Sequence, residues 1–382
     1  MKKTLFVFAI LLSFFLPKAG FCMSAEDFVV SDQVDDHDKH YFYARMIVAD
    51  MTLEEKAAQL FIIDPDAVCE NGNPFELTED GVNVFASLTP GGVMIRGKNI
   101  KSEEQLRSFC VDMQMNVNIN TGIPLFIAAE EEGGYVERVA MKLGLTGTSS
   151  MGELGDSGHE EDAYYHGKAL GERLWELGIN MNFAPFAVIG ENLETDAIAQ
   201  RHIGNDAQTV ANLSSQIIAG MQEQHVSAVM KYFPTENRTD GTIDDSIYRL
   251  KEEASLPYVI GIRNGLGFIL VANQPIKELT DHVPASMSDA VCTDWLREEL
   301  RFEGVIISDL LTDEQVVSQY GRNTALLQAF NAGCDMFLLT EDYPETVDVM
   351  VQAIRRGEIT EERLNRSVVR IVAGKIISGM VK

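Results

Sequence analysis

An aspartate placed directly after an apolar segment has the clearest potential for chemistry in this sequence. Asp309 follows GVIIS at residues 304–308, so a buried strand would end at its carboxylate. Such a carboxylate serves as a metal ligand, a base or a nucleophile. The seven histidines show no HxH or HxxxH spacing, and no serine lies in a Gly-x-Ser-x-Gly sequence. These absences disfavour a metal site and a serine nucleophile, and they leave carboxylate chemistry at Asp309.

Three consecutive glutamates form a second cluster of interest. Glu130, Glu131 and Glu132 follow the apolar run at residues 124–129. Like charges at the end of a buried strand are costly unless something uses them. We expect Glu130, which is nearest the strand, to contact a ligand. For Glu131 and Glu132 the pattern favours ion pairs and helix capping, with Arg138 within reach as a partner.

The elements that would position these residues are eight short apolar runs. Each is aliphatic or β-branched on both faces, as in a buried parallel strand, and amphipathic segments lie between them. This alternation predicts an α/β fold of the (β/α)8 TIM barrel type, with an open doubly wound sheet as the alternative. No Gly-x-Gly-x-x-Gly follows the first strands, so no nucleotide cofactor is predicted. The runs are residues 60–63, 92–95, 124–129, 179–186, 227–233, 267–272, 304–308 and 335–339.

The composition and the N-terminus limit the location and the partners. The 382-residue chain carries a net charge of −27, which disfavours nucleic-acid binding. Residues 1–22 have two lysines, Lys2 and Lys3, before an apolar run that is followed by small residues, which predicts a signal peptide and a secreted or periplasmic protein. Lipid attachment at Cys22 is the alternative. The N-terminal apolar run is too short to span a membrane, and no other stretch is long and apolar enough to do so. Residues 23–50 form an acidic lead-in, and residues 51–382 a single barrel domain.

Several motifs, in order, resemble those of glycoside hydrolase family 3, in particular its single-domain β-N-acetylhexosaminidase branch. The resemblance covers roughly residues 50–380. It rests on PGGVMIRGKNI, PLFIAAEEEGGYVERV, LGINMNFAP, RHIGND, VMKYFP, PASMS, WLREELRFEGVIISDL and NAGCDMFLL. The resemblance implies that Asp309, in the GVxxSD motif, is the nucleophile. It also implies that the chain needs no metal or other cofactor and takes a carbohydrate as substrate or ligand.

The resemblance further implies a set of sugar-binding residues. These are Glu130, where the family usually has Asp, together with Arg138, Arg201 and Lys231. Tyr232 follows Lys231 at the position of the family's sugar-binding histidine. A tyrosine there would stack on a sugar ring or pack in the core.

The loop after Lys231 departs from the family pattern. The family reads KHFPGHGDTxxDSH, whereas this chain reads KYFPTENRTDGTIDDSI. The histidine that serves the family as general acid/base corresponds to Ile247, and no histidine occurs between His225 and His282. The aspartate expected near Val188 is also missing. A carboxylate with a raised pKa could replace the histidine, and Glu236 and Asp245 are the candidates.

Two functions remain open at this point. The first is an exported retaining glycosidase that acts on β-linked N-acetylhexosamines, with Asp309 as nucleophile. The second is a pseudoenzyme that binds sugars or cell-wall fragments without cleaving them, because the usual acid/base is absent. The sequence favours the glycosidase, and it predicts no oligomeric state.

Overall fold

Eight parallel strands close into a barrel in the structure, a computed structural model that describes residues 36–68, 74–190, 199–236 and 242–381. Each predicted apolar run contains one barrel strand, so the (β/α)8 prediction is confirmed. The strands are β1 (Phe61–Ile63), β2 (Gly92–Met94), β3 (Phe126–Ala129), β6 (Met181–Asn182), β7 (Ser227–Phe233), β8 (Phe268–Val271), β9 (Val305–Ser308) and β10 (Met336–Leu339).

The barrel closes between its first and last strands. Phe61 lies opposite Phe337 in the parallel pairing of β1 with β10, and β1 also pairs with β2. Closure removes the free edges of the sheet, and most residues of the apolar runs are buried on both faces.

A short antiparallel hairpin is inserted after β3. It consists of β4 (Glu131–Gly133) and β5 (Val136–Glu137), which lie outside the barrel sheet. The glycines at its turn have positive φ values, 107° at Gly133 and 59° at Gly134. A Cβ on Gly133 would also lie 2.2 Å from the carbonyl oxygen of Ser149. The EGG segment therefore combines a glycine-dependent turn with a close approach of two backbones.

Helices surround the barrel. Thr52 caps one of them through a capping box, since its hydroxyl accepts from Glu55 N–H and the Glu55 carboxylate accepts from Thr52 N–H. They are α1 (Asp36–Ala49), α2 (Leu53–Ala58), α3 (Glu79–Ser87), α4 (Glu103–Asn120), α5 (Arg138–Leu143), α6 (Met151–Ser157), α7 (Glu160–Glu176), α8 (Ala207–Glu223), α9 (Ile247–Arg249), α10 (Leu256–Arg263), α11 (Glu314–Tyr320), α12 (Arg322–Ala332), α13 (Tyr343–Arg355) and α14 (Glu361–Ile377), with π-helical turns at Leu250–Ala254 and Ala290–Glu299.

The structure divides the helical segment after β9 and describes only part of the predicted N-terminal segments. Residues 314–332 form two helices rather than one continuous helix, because Gly321 between α11 and α12 has a φ of 74°. The predicted signal peptide, including Cys22, lies outside the described residues. Helix α1 occupies the second half of the predicted lead-in, and its Ala44 and Val48 belong to the hydrophobic core. Among the described residues, no helix has the length and apolar character needed to cross a membrane.

Buried charges close the amino-terminal end of the barrel. The fully buried Lys375 of α14 donates a 2.7 Å hydrogen bond to Gln59 Oε1, and its ammonium lies 5.3 Å from the centre of the Phe126 ring. Burial lowers the pKa of Lys375 to about 7. The equally buried Asp335 pairs with Arg297 and accepts from Ser367 Oγ at 2.6 Å. These buried charged side chains fill this end of the barrel.

Candidate active site

The predicted site residues lie at the carboxyl ends of the strands. Asp309 follows β9, and its backbone N–H extends the sheet by donating to the Val271 carbonyl at 3.0 Å. Glu130 follows β3, Lys231 and Tyr232 belong to the end of β7, and Glu236 comes three residues after β7. Because parallel strands of a barrel end at the same mouth, these side chains face a common region.

The three consecutive glutamates are separated by the extended backbone. Successive side chains of a strand point to opposite faces, so Glu131 faces away from Glu130 and Glu132. The carboxylate of Glu131 accepts the N–H groups of Val139 and Ala140 at 2.9 Å each, which caps α5. The helix-capping prediction is confirmed for this residue. Burial raises the pKa of Glu131 to about 7, and the two backbone hydrogen bonds oppose that rise.

Lys231 is the central cation of the site. Its side chain is 1% exposed, and its ammonium lies 2.5 Å from Glu130 Oε1 and 2.8 Å from Glu132 Oε1. The lysine charge holds the pKa of Glu130 at about 2, against the raising effect of burial. The two carboxylates keep the pKa of Lys231 above its usual value despite burial. Glu130 and Lys231 are therefore both ionised at neutral pH.

Arg201 fixes the other side of Glu132. Its guanidinium binds the buried carboxylate with two hydrogen bonds, of 2.9 Å from Nε and 2.7 Å from Nη2. It also lies over the Phe186 ring at 4.2 Å from the ring centre. Glu132 thus joins the loop that carries Arg201 to β7. The sequence pattern identified Arg201 and Lys231 but gave no sign that one carboxylate joins them.

Arg138 and Tyr232 line the site in different ways. The Arg138 side chain is 54% exposed, and its Nε lies 3.7 Å from Glu130 Oε2, so it can reach a ligand at the mouth. Tyr232 is half-buried, with its ring edge-on to Phe186 at a centroid distance of 6.0 Å. Burial and the nearby Asp309 charge raise the pKa of Tyr232 to about 12, so its hydroxyl keeps its proton.

Asp309 has an unusual acidity for an aspartate. Burial raises its pKa to about 6, and the charges of Glu236 and Glu130 act in the same direction. The Leu310 N–H donates to Asp309 Oδ1 at 2.8 Å and lowers the pKa, as does the Lys231 charge. The carboxylate is therefore ionised above pH 6 and carries a charge that its surroundings only partly offset.

The two acid/base candidates have different surroundings. Glu236 is half-buried and close enough to Asp309 for its charge to raise the pKa of that residue. Asp245 forms an ion pair with Arg249, four residues further along the chain. Both carboxylates line a cavity of about 310 Å³ beside the mouth. Ile247, at the family's histidine position, begins α9, and Val188 is buried.

One histidine of this cavity was not predicted from the sequence as a site residue. His202 follows Arg201 and lines the same cavity as Glu236. Its Nδ1 lies 3.1 Å from the Val188 carbonyl oxygen, and its ring packs edge-on against Phe186. The RHIGND motif, in which a histidine follows the predicted sugar-binding arginine, could have indicated His202. Its proximity to the cavity of Glu236 was not predictable, because the two residues are far apart in the sequence. Within the described ranges, no three His, Cys, Asp or Glu side chains converge in a way that could hold a metal ion.

Relatives and solved structures resemble the chain over most of its length. A protein of Cellulomonas fimi named beta-N-acetylglucosaminidase/beta-glucosidase is 27% identical over 88% of this chain and 60% of its own length. A beta-hexosaminidase of Nitrosomonas eutropha is 30% identical over 69% of this chain and 77% of its own. The structure of a glycoside hydrolase family 3 beta-N-acetylglucosaminidase from a Paenibacillus species has a TM-score of 0.78 and 29% identity, and the match covers 86% of this chain and 63% of that one.

The chain therefore spans less than two thirds of two of these relatives. The family model described as the glycosyl hydrolase family 3 N terminal domain matches residues 52–373, which is most of the chain and includes every site residue discussed above. On this match, together with the closed barrel and the acidic residues at its mouth, the chain belongs to glycoside hydrolase family 3.

Proposed function

We propose that the chain is a retaining glycosidase that cleaves β-linked N-acetylhexosaminides, with Asp309 as its nucleophile. The position of Asp309 carries the proposal. Its carboxylate stands at the barrel mouth, oriented by the Leu310 N–H and close to the carboxylates of Glu236 and Glu130. The names of the Cellulomonas, Nitrosomonas and Paenibacillus relatives support an amino sugar as the substrate.

The reaction would proceed in two displacements. Asp309 Oδ1 is engaged by Leu310, so Oδ2 attacks the anomeric carbon while the bond from that carbon to the leaving oxygen breaks. The leaving oxygen takes a proton from the general acid. Water, deprotonated by the same group, then attacks the anomeric carbon and releases Asp309.

The sugar-binding residues would act as a charged but balanced surface. Glu130 is ionised and accepts hydrogen bonds from sugar hydroxyls, while Arg138 donates from the exposed rim. Lys231 positions Glu130 and Glu132. Arg201 also holds Glu132, and the two cations complete the binding surface. The Tyr232 hydroxyl retains its proton and is available as a donor.

Glu236 is the acid/base that the geometry favours. A carboxylate that must carry a proton at neutral pH needs an environment that disfavours its charge, and a second carboxylate nearby provides one. The charge of Glu236 raises the pKa of Asp309, so the two carboxylates are near enough to influence each other, as the pairing requires. Asp245 remains the second candidate, but its carboxylate is engaged in an ion pair with Arg249.

Export completes the proposal and rests on the sequence of residues 1–22 alone. A signal peptide would direct the barrel to the periplasm or the medium, and Cys22 offers lipid anchoring as the alternative. Mass spectrometry of the mature N-terminus distinguishes the two, because cleavage without a lipid adds no acyl mass.

A sugar-binding pseudoenzyme is the second candidate function. It is favoured by Ile247 at the family's acid/base position and by Val188 where an aspartate is expected. Loss of a general acid lowers rates by about 10²–10⁴-fold, which a binding protein would tolerate.

The deciding assay is hydrolysis of 4-nitrophenyl β-N-acetylglucosaminide by the full-length protein and by Asp309→Asn. Nitrophenolate leaves without much help from an acid, so the assay tests the nucleophile. We expect turnover in the wild type and none in the variant. A 5-fluoro glycosyl fluoride should add the mass of one glycosyl group to the wild type only. If calorimetry detects sugar binding but no turnover occurs, the protein is a sugar-binding pseudoenzyme rather than a glycosidase.

The acid/base assignment has its own test. In Glu236→Ala, azide should restore release of nitrophenol from the nitrophenyl glycoside and yield the β-glycosyl azide, because azide attacks the glycosyl-enzyme in place of water and needs no base. Asp245→Ala serves as the matched comparison from the same cavity. Azide rescue in Asp245→Ala and none in Glu236→Ala would assign the role to Asp245.

A further inference from the structure

A chain of hydrogen bonds reaches Asp309 from a turn that the mechanism above does not use. The turn Ala285–Met287 lies within the PASMS motif, and Ser286 in it is fully buried. Ser286 Oγ donates to Asn273 Oδ1 at 2.6 Å. Asn273 lies two residues after β8, the strand whose last residue, Val271, accepts the backbone N–H of Asp309.

The orientation of the Asn273 amide follows from its two partners. The Leu310 carbonyl, 2.8 Å from Asn273 Nδ2, can only accept a hydrogen bond. The amide nitrogen must therefore face Leu310, which leaves Oδ1 for the Ser286 hydroxyl. Both hydrogen bonds are satisfied in this one orientation alone.

Leu310 transmits this constraint to the carboxylate. Its carbonyl accepts from Asn273, and its N–H donates to Asp309 Oδ1 at 2.8 Å. The backbone on both sides of the Asp309 side chain is consequently fixed, since the Asp309 N–H donates to Val271.

Ser286 is itself held from several directions. Its N–H donates to the Ala272 carbonyl at 3.0 Å, and its own carbonyl accepts from the Cys334 thiol at 3.2 Å and the Cys292 thiol at 3.6 Å. A residue whose backbone is held in this way is a rigid end point for the chain of hydrogen bonds.

We propose that Asn273 and Ser286 are positioning residues that hold the Asp309–Leu310 peptide, and through it the nucleophilic carboxylate, in the barrel mouth. This role rests on the proposed function only for its catalytic consequence. Its electrostatic consequence concerns Asp309 itself, which also faces Glu236, Glu130, Lys231 and Tyr232.

Two substitutions test the proposal in different ways. Asn273→Asp keeps an acceptor for Ser286 but removes the donor to Leu310. Ser286→Ala frees the amide without adding a charge. Asn264→Asp is the control, because Asn264 Nδ2 donates to Ser215 Oγ at 2.7 Å, on the outer helices. Thermal unfolding shows which variants remain folded, and the folded ones enter the assay.

We expect kcat on the nitrophenyl glycoside to fall by about 10- to 100-fold in both variants, with KM and the control unchanged, because misplacing a reacting group by about 1 Å costs up to about 10²-fold. The acidic limb of the pH profile should move to higher pH in Ser286→Ala, since a looser Leu310 N–H stabilises the Asp309 charge less. Wild-type kcat and an unmoved limb in Ser286→Ala would overturn the proposal.

A readout independent of activity separates this proposal from the proposed function. Carbon-13 NMR of aspartate-labelled protein, assigned with Asp309→Asn, follows the Asp309 carboxyl directly. If the wild type shows no turnover, the proposed function fails, but a higher Asp309 titration midpoint in Ser286→Ala still supports the positioning role. An identical midpoint in wild type and Ser286→Ala overturns it.

Discussion

The Lys231 ammonium lies 2.5 Å from a carboxylate oxygen of Glu130, and the Lys231 side chain is only 1% exposed. The same ammonium serves Glu132, so one buried cation compensates two anions. Buried ion pairs of this kind are not necessarily stabilising in themselves. Removing Lys231, however, leaves the 1% exposed Glu132 with Arg201 alone and deprives Glu130 of its buried cation.

Lys231→Met should therefore destabilise the protein strongly. We expect the free energy of unfolding to fall by about 3–5 kcal/mol, because Glu132 and Glu130 lose their shared cation. Urea unfolding measures the change. Lys277→Met is the control, because Lys277 pairs with Asp244 at 2.7 Å in an exposed setting, where the loss should stay below about 1 kcal/mol. Equal losses in the two variants would show that the Lys231 network adds no special stability.

The pH dependence of activity should report the Asp309 carboxylate. Its pKa of about 6 means that the nucleophile is protonated below that pH, so kcat/KM should rise with pH through a limb near 6. Glu236→Gln removes a neighbouring negative charge and should move this limb to lower pH.

Glu253→Gln is the control for that shift. Glu253 lines the same cavity as Glu236, but it is 56% exposed and pairs with Arg249. The limb should stay in place in this variant. A limb that moves equally in both variants would mean that the change reflects general surface charge rather than the Glu236–Asp309 pair.

Asp309→Asn should make the protein more stable at pH 7. The pKa of Asp309 is raised from 3.8 to about 6 by folding, so its contribution to stability is present below pH 3.8 and lost as the pH rises through 6. The charged form at pH 7 therefore opposes folding by up to about 3 kcal/mol.

Thermal unfolding at several pH values tests this expectation. The advantage of Asp309→Asn should shrink as the pH is lowered from 7 towards 4, where the wild-type carboxyl is also neutral. Asp294→Asn, at an exposed position, should show no such trend. A variant no more stable than wild type at pH 7 would contradict an uncompensated charge at Asp309.

Lys375 should make stability increase above neutral pH. Burial lowers its pKa from 10.5 to about 7, so the unfolded chain binds more protons than the folded one between these values. The free energy of unfolding should rise with pH across that range, and Lys375→Met should remove this slope. Lys142→Met, on the exposed surface of α5, is the control. An unchanged slope in Lys375→Met would assign it to other groups.

The barrel strands were predictable from the sequence because their physics is local. Runs that are apolar on both faces have few stable environments other than a buried parallel sheet, and all eight were found. The hairpin after β3 was missed because Glu131–Gly133 lacks the composition of a strand. Its extended conformation depends on Asn182, whose side chain bonds both the N–H and the carbonyl of Glu131, 51 residues away.

The identities of the main site residues were also predictable from the sequence, but their pairing was not. Motifs identified Asp309, Lys231 and Arg201, since each follows a recognisable segment. Which charge pairs with which was not encoded in any spacing, because Glu132 meets Arg201 at a separation of 69 residues. The Asn273–Ser286 pair was likewise hidden, because neither residue type suggests a role until the Leu310 carbonyl is placed between Asn273 and the nucleophile.

The alternation of Glu130, Glu131 and Glu132 ties the electrostatics of the mouth to the length of one short segment. Deleting or inserting a single residue before β4 would exchange the two faces of the strand. The helix-capping carboxylate would then turn into the mouth, and the partners of Lys231 would turn towards α5. The segment can therefore change in composition more readily than in length, and length variation in homologous chains should be confined to the loops on either side of it.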